Sequence, residues 1–199
     1  MKLSNAVKMA HQFLSDRLSN AQYVVDATAG NGYDTLFLAK NTSENATIFA
    51  FDIQQIALDK ARKLIDNHGF SSKIRYILDS HVDIASYADH QIDVVMFNLG
   101  YLPGGSHAIT TQAKTTVLAL QNVLPHLSLN GMVSVVAYPG HPAGTEEQLL
   151  LKDFLQSLPQ QTYTVSSYVI LNQIHHPPVL YMIEKVGGKA DEGTASRKN

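Results

Sequence analysis

The chain has 199 residues, 45% hydrophobic and only 16% charged, a length and composition that suit one ordinary domain with a real core. Collagen, a disordered chain and a coiled coil are excluded by composition, and the absence of cysteine removes disulfide frameworks, thiolate zinc sites and cysteine nucleophiles. Fifteen Lys and Arg against seventeen Asp and Glu leave a formal net charge of -2, so a nucleic-acid partner has to be held through a local patch.

The start, MKLSNAVKMAHQFLSDRL, has no signal-type apolar stretch because Asn5, Lys8, His11 and Gln12 interrupt it. No run approaches the roughly 20 apolar residues of a membrane span, and the expected location is the cytoplasm. Val7, Met9, Ala10, Phe13, Leu14 and Leu18 recur at near-helical spacing, which predicts an amphipathic helix over 4–19. Short apolar runs then alternate with helical segments. Tyr23–Val25 leads into Asp26, 47–51 into Asp52, 74–78 into Asp79, and 94–97 into Asn98. Further runs cover 132–137, 163–171 and 179–183, and helices are expected near 33–40, 54–67, 81–88, 110–126 and 145–157.

This alternation predicts an α/β fold with a parallel sheet covered on both faces. The last two of its seven strands are joined through Asn172 to Pro178, too short a link for a crossover, so they should form an antiparallel hairpin. Pro177 and Pro178 belong in its turn or at the strand start. Residues 1–186 read as a single domain, and 187–199, polar and glycine-rich, as a disordered tail. The N-terminal helix packs either on its own sheet or on a second subunit, which leaves a homodimer open.

Four successive strand ends deliver Asp26, Asp52, Asp79 and Asn98. Ligands of an open parallel sheet bind beyond the carboxyl ends of its strands. For any one of these residues a helix N-cap is the simpler reading; four in register favour a site. After Asp26 the chain reads Ala27-Thr28-Ala29-Gly30-Asn31-Gly32-Tyr33-Asp34-Thr35. Its glycines allow a tight turn and close backbone approach, and the following helix start offers free N–H groups. Thr35 stands where a dinucleotide fingerprint has its third glycine, which counts against a NAD-dependent oxidoreductase. Asp52, 20 positions after Gly32, suits the hydroxyls of a ribose.

The run Asn98-Leu99-Gly100-Tyr101-Leu102-Pro103 resembles the Asn-Pro-Pro-Tyr motif of methyltransferases that act on nitrogen, with Leu99-Gly100 in place of the two prolines. An Asn oxygen and a nearby backbone carbonyl can accept the N–H groups of an amine and aim its lone pair, while an aromatic ring stacks on a flat substrate. A strand followed by a glycine turn, with Tyr101 as a packing residue, explains the run equally well. Residues 26–32, Asn98 to Gly105, Tyr138-Pro139-Gly140-His141 and the 172–178 segment together resemble a bacterial family labelled rRNA methylase. Its characterised members resemble a tRNA wobble-uridine methyltransferase that converts 5-aminomethyl-2-thiouridine to the 5-methylaminomethyl form. The similarity spans about residues 4–186.

The resemblance implies a Rossmann-like class I methyltransferase with S-adenosylmethionine (SAM) as cofactor. On that basis Asp26, Gly30, Asn31 and Gly32 surround the cofactor's amino-acid part, Asp52 holds the ribose, and Asp79, Ser80 and His81 lie near the adenine. Thr28, Asp34, Thr35 and Gln54 complete the cofactor-binding set. Asn98 and Tyr101 are the catalytic pair, Asn98 touching both cofactor and amine. It also implies a tRNA anticodon stem-loop as partner, with Lys2, Lys8, Arg17 and Lys114 as candidates for the basic strip. rRNA, a small amine, or a SAM-sensing role without catalysis are the alternatives. No metal is expected: His175 and His176 are adjacent, point apart and have no third ligand. His107 reads better as surface, and His141 as base or loop residue equally.

Overall fold

The computed structural model describes residues 3–100, 113–140, 142–174 and 176–187. Its centre is a seven-stranded sheet of β1 (Tyr23–Asp26), β2 (Thr47–Asp52), β3 (Ile74–Leu78), β4 (Ile92–Asn98), β5 (Leu127–Ala137), β6 (Tyr163–Tyr168) and β7 (Val179–Lys185). The strand order is β3-β2-β1-β4-β5-β7-β6, parallel throughout β1 to β5, with β7 antiparallel to both β5 and β6. The expected parallel sheet and closing antiparallel pair are both present.

Strands buried on both faces carry unbroken apolar runs, and β4 illustrates why. Val94 and Met96 pack with the helices α1 (Ala6–Leu18), α2 (Tyr33–Asn41) and α3 (Gln55–Asp66), whereas Val95 and Phe97 point to the opposite layer. That second layer contains α4 (Ala113–Val123) and α5 (Pro142–Ser157). The segment expected as a helix at 81–88 is a 3-10 turn, His81–Tyr87, seated on the sheet through buried Ile84. β5 starts five residues earlier than its apolar run, because Leu127 pairs with Ile92 before the register shift in β4. β6 stops at Tyr168, short of the apolar run to Leu171, a residue that is 91% exposed.

The N-terminal helix packs on its own sheet. Met9, Ala10, Leu14 and Leu18 are fully buried there. Its start is held at the carboxyl edge of the sheet by the Tyr168 hydroxyl, which donates to Ser4 O at 2.9 Å. Its end is held at the opposite edge, where Arg17 donates to Asp93 and Ser128. Asp93 also accepts from the backbone N–H groups of Gln22 and Tyr23 at 2.7 and 3.2 Å. α2 is fixed at its C-terminus by Lys73, whose Nζ donates to Ala39 O and Thr42 O at 2.9 and 2.8 Å, a cation on the negative end of the helix. Among the described residues no helix is long and apolar enough to cross a membrane.

The loop from β1 to α2 depends on one glycine. Gly32 has φ +86°, and a Cβ there would lie 2.6 Å from Ala61 Cα on α3. Both the left-handed backbone and the contact with a neighbouring main chain exclude a side chain. Gly32→Ala is therefore expected to cost about 2 kcal/mol or more, lowering the thermal midpoint by roughly 5 °C. Circular-dichroism melting of the two proteins measures this.

Candidate functional site

The sheet brings the four strand ends to one edge. Asp26 closes β1, Asp52 closes β2, Asp79 follows β3 directly, and Asn98 closes β4. Chain order reverses at β1: it is followed by α2 on one face of the sheet, whereas its other neighbour β4 precedes α4 on the opposite face, the switch point at which open α/β sheets take ligands in a crevice.

Asp26 is fully buried. Its Oδ2 accepts from the Thr35 hydroxyl at 2.6 Å and its Oδ1 from Thr28 N at 3.1 Å. Thr28 in turn accepts from Asn98 N at 2.8 Å, which ties the first loop to the end of β4. Asp52 accepts from Gly30 N and from Gln54 N, both at 2.9 Å. Gly30 has φ +52°, which turns its N–H toward that carboxylate. Asp79 accepts from Ser80 N and from the Tyr87 hydroxyl, each at 2.8 Å. His81 lies edge-on to Phe97, and its buried Nε2 has no partner among the described residues.

Around Asn98 the hydrogen bonds form a chain. Its Nδ2 donates to Asp34 Oδ2 at 3.0 Å, and its Oδ1 accepts from the Tyr138 hydroxyl at 2.9 Å. Asp34, buried in the first turn of α2, meets His11 Nε2 with its other oxygen at 2.7 Å. The His11 ring lies flat on Phe37, centroids 3.7 Å apart and planes 3° apart. An ionised carboxylate only accepts, so the Asn98 amide can point only one way. One N–H and one lone pair of that amide remain uncommitted in this set of contacts.

The rRNA methylase family, described in full as "Putative rRNA methylase", matches residues 48–184. The chain belongs to this family. It is 30% identical over 190 residues, 90% of this chain and 69% of the relative, to the chloroplastic tRNA (mnm(5)s(2)U34)-methyltransferase of Arabidopsis thaliana. Among solved structures, a "putative rRNA-methylase" from Clostridium thermocellum superposes with a TM-score of 0.90 at 36% identity, covering 93% of this chain and 100% of that one. A "putative methyltransferase" from Streptococcus mutans, in complex with SAH, gives 0.84 at 36% identity, covering 92% and 99%.

The polar groups at these strand ends fit S-adenosylmethionine. Carboxylates suit its ammonium and ribose diol, the glycine turn admits close approach, and the unpartnered His81 nitrogen can serve a heterocycle edge. Asp26, Thr28, Gly30, Asp34, Thr35, Asp52, Gln54 and Asn98 are joined in the hydrogen bonds above. Asn31 sits half-buried between the two glycines, and Asp79, Ser80 and His81 lie one strand away. Tyr101, Lys2, His107, His141 and His175 lie outside the described residues. His176 is exposed with φ 51°. Arg17 is removed from the candidate RNA strip, because its guanidinium is bound at the opposite edge of the sheet; Lys8 and Lys114 are exposed. Sequence reasoning missed two members. Tyr138 directly follows β5 and could have been found as a fifth polar strand end, whereas His11 enters only through the packing of α1.

Electrostatics in the crevice disfavour further negative charge. Burial, reinforced by the nearby Asp34 carboxylate, pushes Asp26 up from 3.8 to about 7, and burial also raises Asp52. Burial lowers His81, keeping its imidazole neutral. For Asp26 the folded state holds its proton more tightly than the unfolded chain. Ligand-free stability should thus fall as pH rises from about 4 to about 7 and level off above. Asp26→Asn, which removes the titration, is expected to gain stability relative to wild type across that window, most at its upper end. Thermal midpoints of both proteins from about pH 4.5 to about pH 8 would measure the difference; parallel curves would contradict it.

Proposed function

We propose that this methylase transfers a methyl group from S-adenosylmethionine to the exocyclic primary amine of 5-aminomethyl-2-thiouridine at the wobble position of tRNA. The observation that carries this reading is Asn98, clamped between Asp34 and Tyr138 at the end of β4, beside the glycine loop. Family membership and the activity named for the Arabidopsis relative support the same substrate. S-adenosylmethionine, when bound, supplies an electrophilic methyl carried on a sulfonium.

The chain's own task is to hold and orient. Asp26, Thr28, Gly30, Asn31, Gly32, Asp34 and Thr35 hold the cofactor's amino-acid part, Asp52 with Gln54 its ribose, and Asp79, Ser80 and His81 its adenine. The clamped Asn98 oxygen accepts one amine N–H, so the nitrogen lone pair faces the methyl donor. An ammonium has no lone pair, so the amine must shed a proton before reacting. Asn98 is not basic and acts by orientation. Tyr101 stacks on the uracil ring. Lys8 and Lys114 contact the anticodon stem-loop from exposed positions at the same edge of the sheet. Residues 1–186 act as one catalytic domain, supported by the single sheet that the described elements share, and the reaction takes place in the cell's soluble compartment with the tRNA.

Methyl-labelled S-adenosylmethionine is incubated with bulk RNA from cells lacking the activity, and the nucleosides are resolved by mass spectrometry. Label in 5-methylaminomethyl-2-thiouridine is expected. Label in another nucleoside would keep a methyltransferase and discard the wobble substrate, and none at all would point to a small amine or a sensor. Asn98→Ala should lower turnover by about a hundredfold or more while cofactor affinity, measured by calorimetry, changes little.

A further inference from the structure

Among the described residues, His11 is the one titratable side chain that reaches the Asn98 network from outside the sheet edge. It lies on α1, before the first strand, yet its Nε2 is 2.7 Å from Asp34 Oδ1. The opposite oxygen of that same carboxylate, Oδ2, accepts from Asn98 Nδ2. Asp34 is therefore a two-ended acceptor whose plane is set by both partners. Without the imidazole N–H, Oδ1 would have to find another donor, and rotating the carboxylate to do so moves Oδ2 away from the amide it holds. The imidazole cannot follow such a rotation freely, because it is stacked on Phe37, one helical turn beyond Asp34 on α2. Phe37, Asp34 and His11 thus form a rigid bracket, with His11 itself one-quarter exposed.

We propose that His11 is a positioning residue for methyl transfer, acting through Asp34 to fix the orientation of the Asn98 amide. This inference rests on the assigned reaction. In it the amine nitrogen, already neutral, forms a bond to the methyl carbon as the carbon–sulfur bond breaks. The sulfonium sulfur keeps the electron pair of the breaking bond, and the product nitrogen carries the positive charge. Only the orientation of the amine before that step depends on His11. A small rotation of Asn98 misdirects the lone pair, and misplacements of this kind cost on the order of tenfold to a hundredfold in rate.

The test uses the full chain and three variants. His11→Phe keeps the stack on Phe37 and loses the donor; His11→Gln keeps a donor; Asp34→Asn breaks the link. On RNA carrying the 5-aminomethyl group and at saturating cofactor, His11→Phe should lower kcat about tenfold or more, with KM for RNA and thermal midpoint near wild type. His11→Gln should recover most of the rate. In the Asp34→Asn background, His11→Phe should cost little further, because residues acting in series are not additive. The Asn98 side-chain NH2 resonances should shift in His11→Phe, a readout independent of turnover. Wild-type kcat in His11→Phe, an undiminished loss on top of Asp34→Asn, unmoved Asn98 resonances, or equal loss and lowered melting in both His11 variants would each overturn the proposal. If wild type fails to methylate this RNA, the assigned reaction falls, and the Asn98 resonances alone decide the bracket.

Discussion

β1 lies between two strands that the chain reaches in opposite directions, β2 through α2 and β4 only after β3. The arrangement is held by main-chain pairing on both sides, Val24 to Ile48 and to Val94, and it continues past the strand where Ala27 N donates to Met96 O at 2.8 Å. Everything that makes the site follows from this reversal. β1 leads into α2 on one face of the sheet and β4 precedes α4 on the other, and ligands of open α/β sheets bind in the crevice at such a switch point. Thr28 receives the Asn98 N–H, so the loop after β1 is tied to the end of β4.

Into that crevice the fold crowds carboxylates. Asp26 is fully buried, Asp34 nearly so, and Asp52 stands close enough to raise Asp26 further. In a water-poor environment such groups repel and resist ionisation, unless donors or a cation compensate. Backbone N–H groups from Thr28, Gly30 and Gln54 and the Thr35 hydroxyl supply part of the compensation. The rest is consistent with a positively charged occupant, which both the cofactor's ammonium and sulfonium and a protonated amine substrate provide. The cost of assembling like charges is thereby turned toward binding.

The sheet, its helical layers and the antiparallel close were legible in the sequence because burial on both faces writes continuous apolar runs, as in Val94 to Phe97, and because a short link such as 172–178 excludes a crossover. The strand-end series Asp26, Asp52, Asp79 and Asn98 was legible for the same reason: each polar residue stops an apolar run. Where local pattern was a poor guide, a tertiary partner decided. The 81–88 segment is a 3-10 turn, since it crosses directly from β3 to the sheet face with only Ile84 deeply buried. Arg17 looked like one more exposed cation of an amphipathic helix, yet Asp93 and Ser128, remote in sequence, claim it.

The sequence by itself determined that an α/β fold would line one edge with acids, an amide and a glycine turn, because periodicity and strand ends are local properties of the chain. Which way the Asn98 amide points, and what holds it there, was decided only by the tertiary structure. Asp34, Tyr138 and His11 come from the start of α2, the end of β5 and the middle of α1, and hydrogen bonds between such residues leave no mark on spacing. The same holds for Gly32. Its glycines predict a turn, but the close approach of Ala61 that forbids a side chain exists only once α3 has packed against the loop.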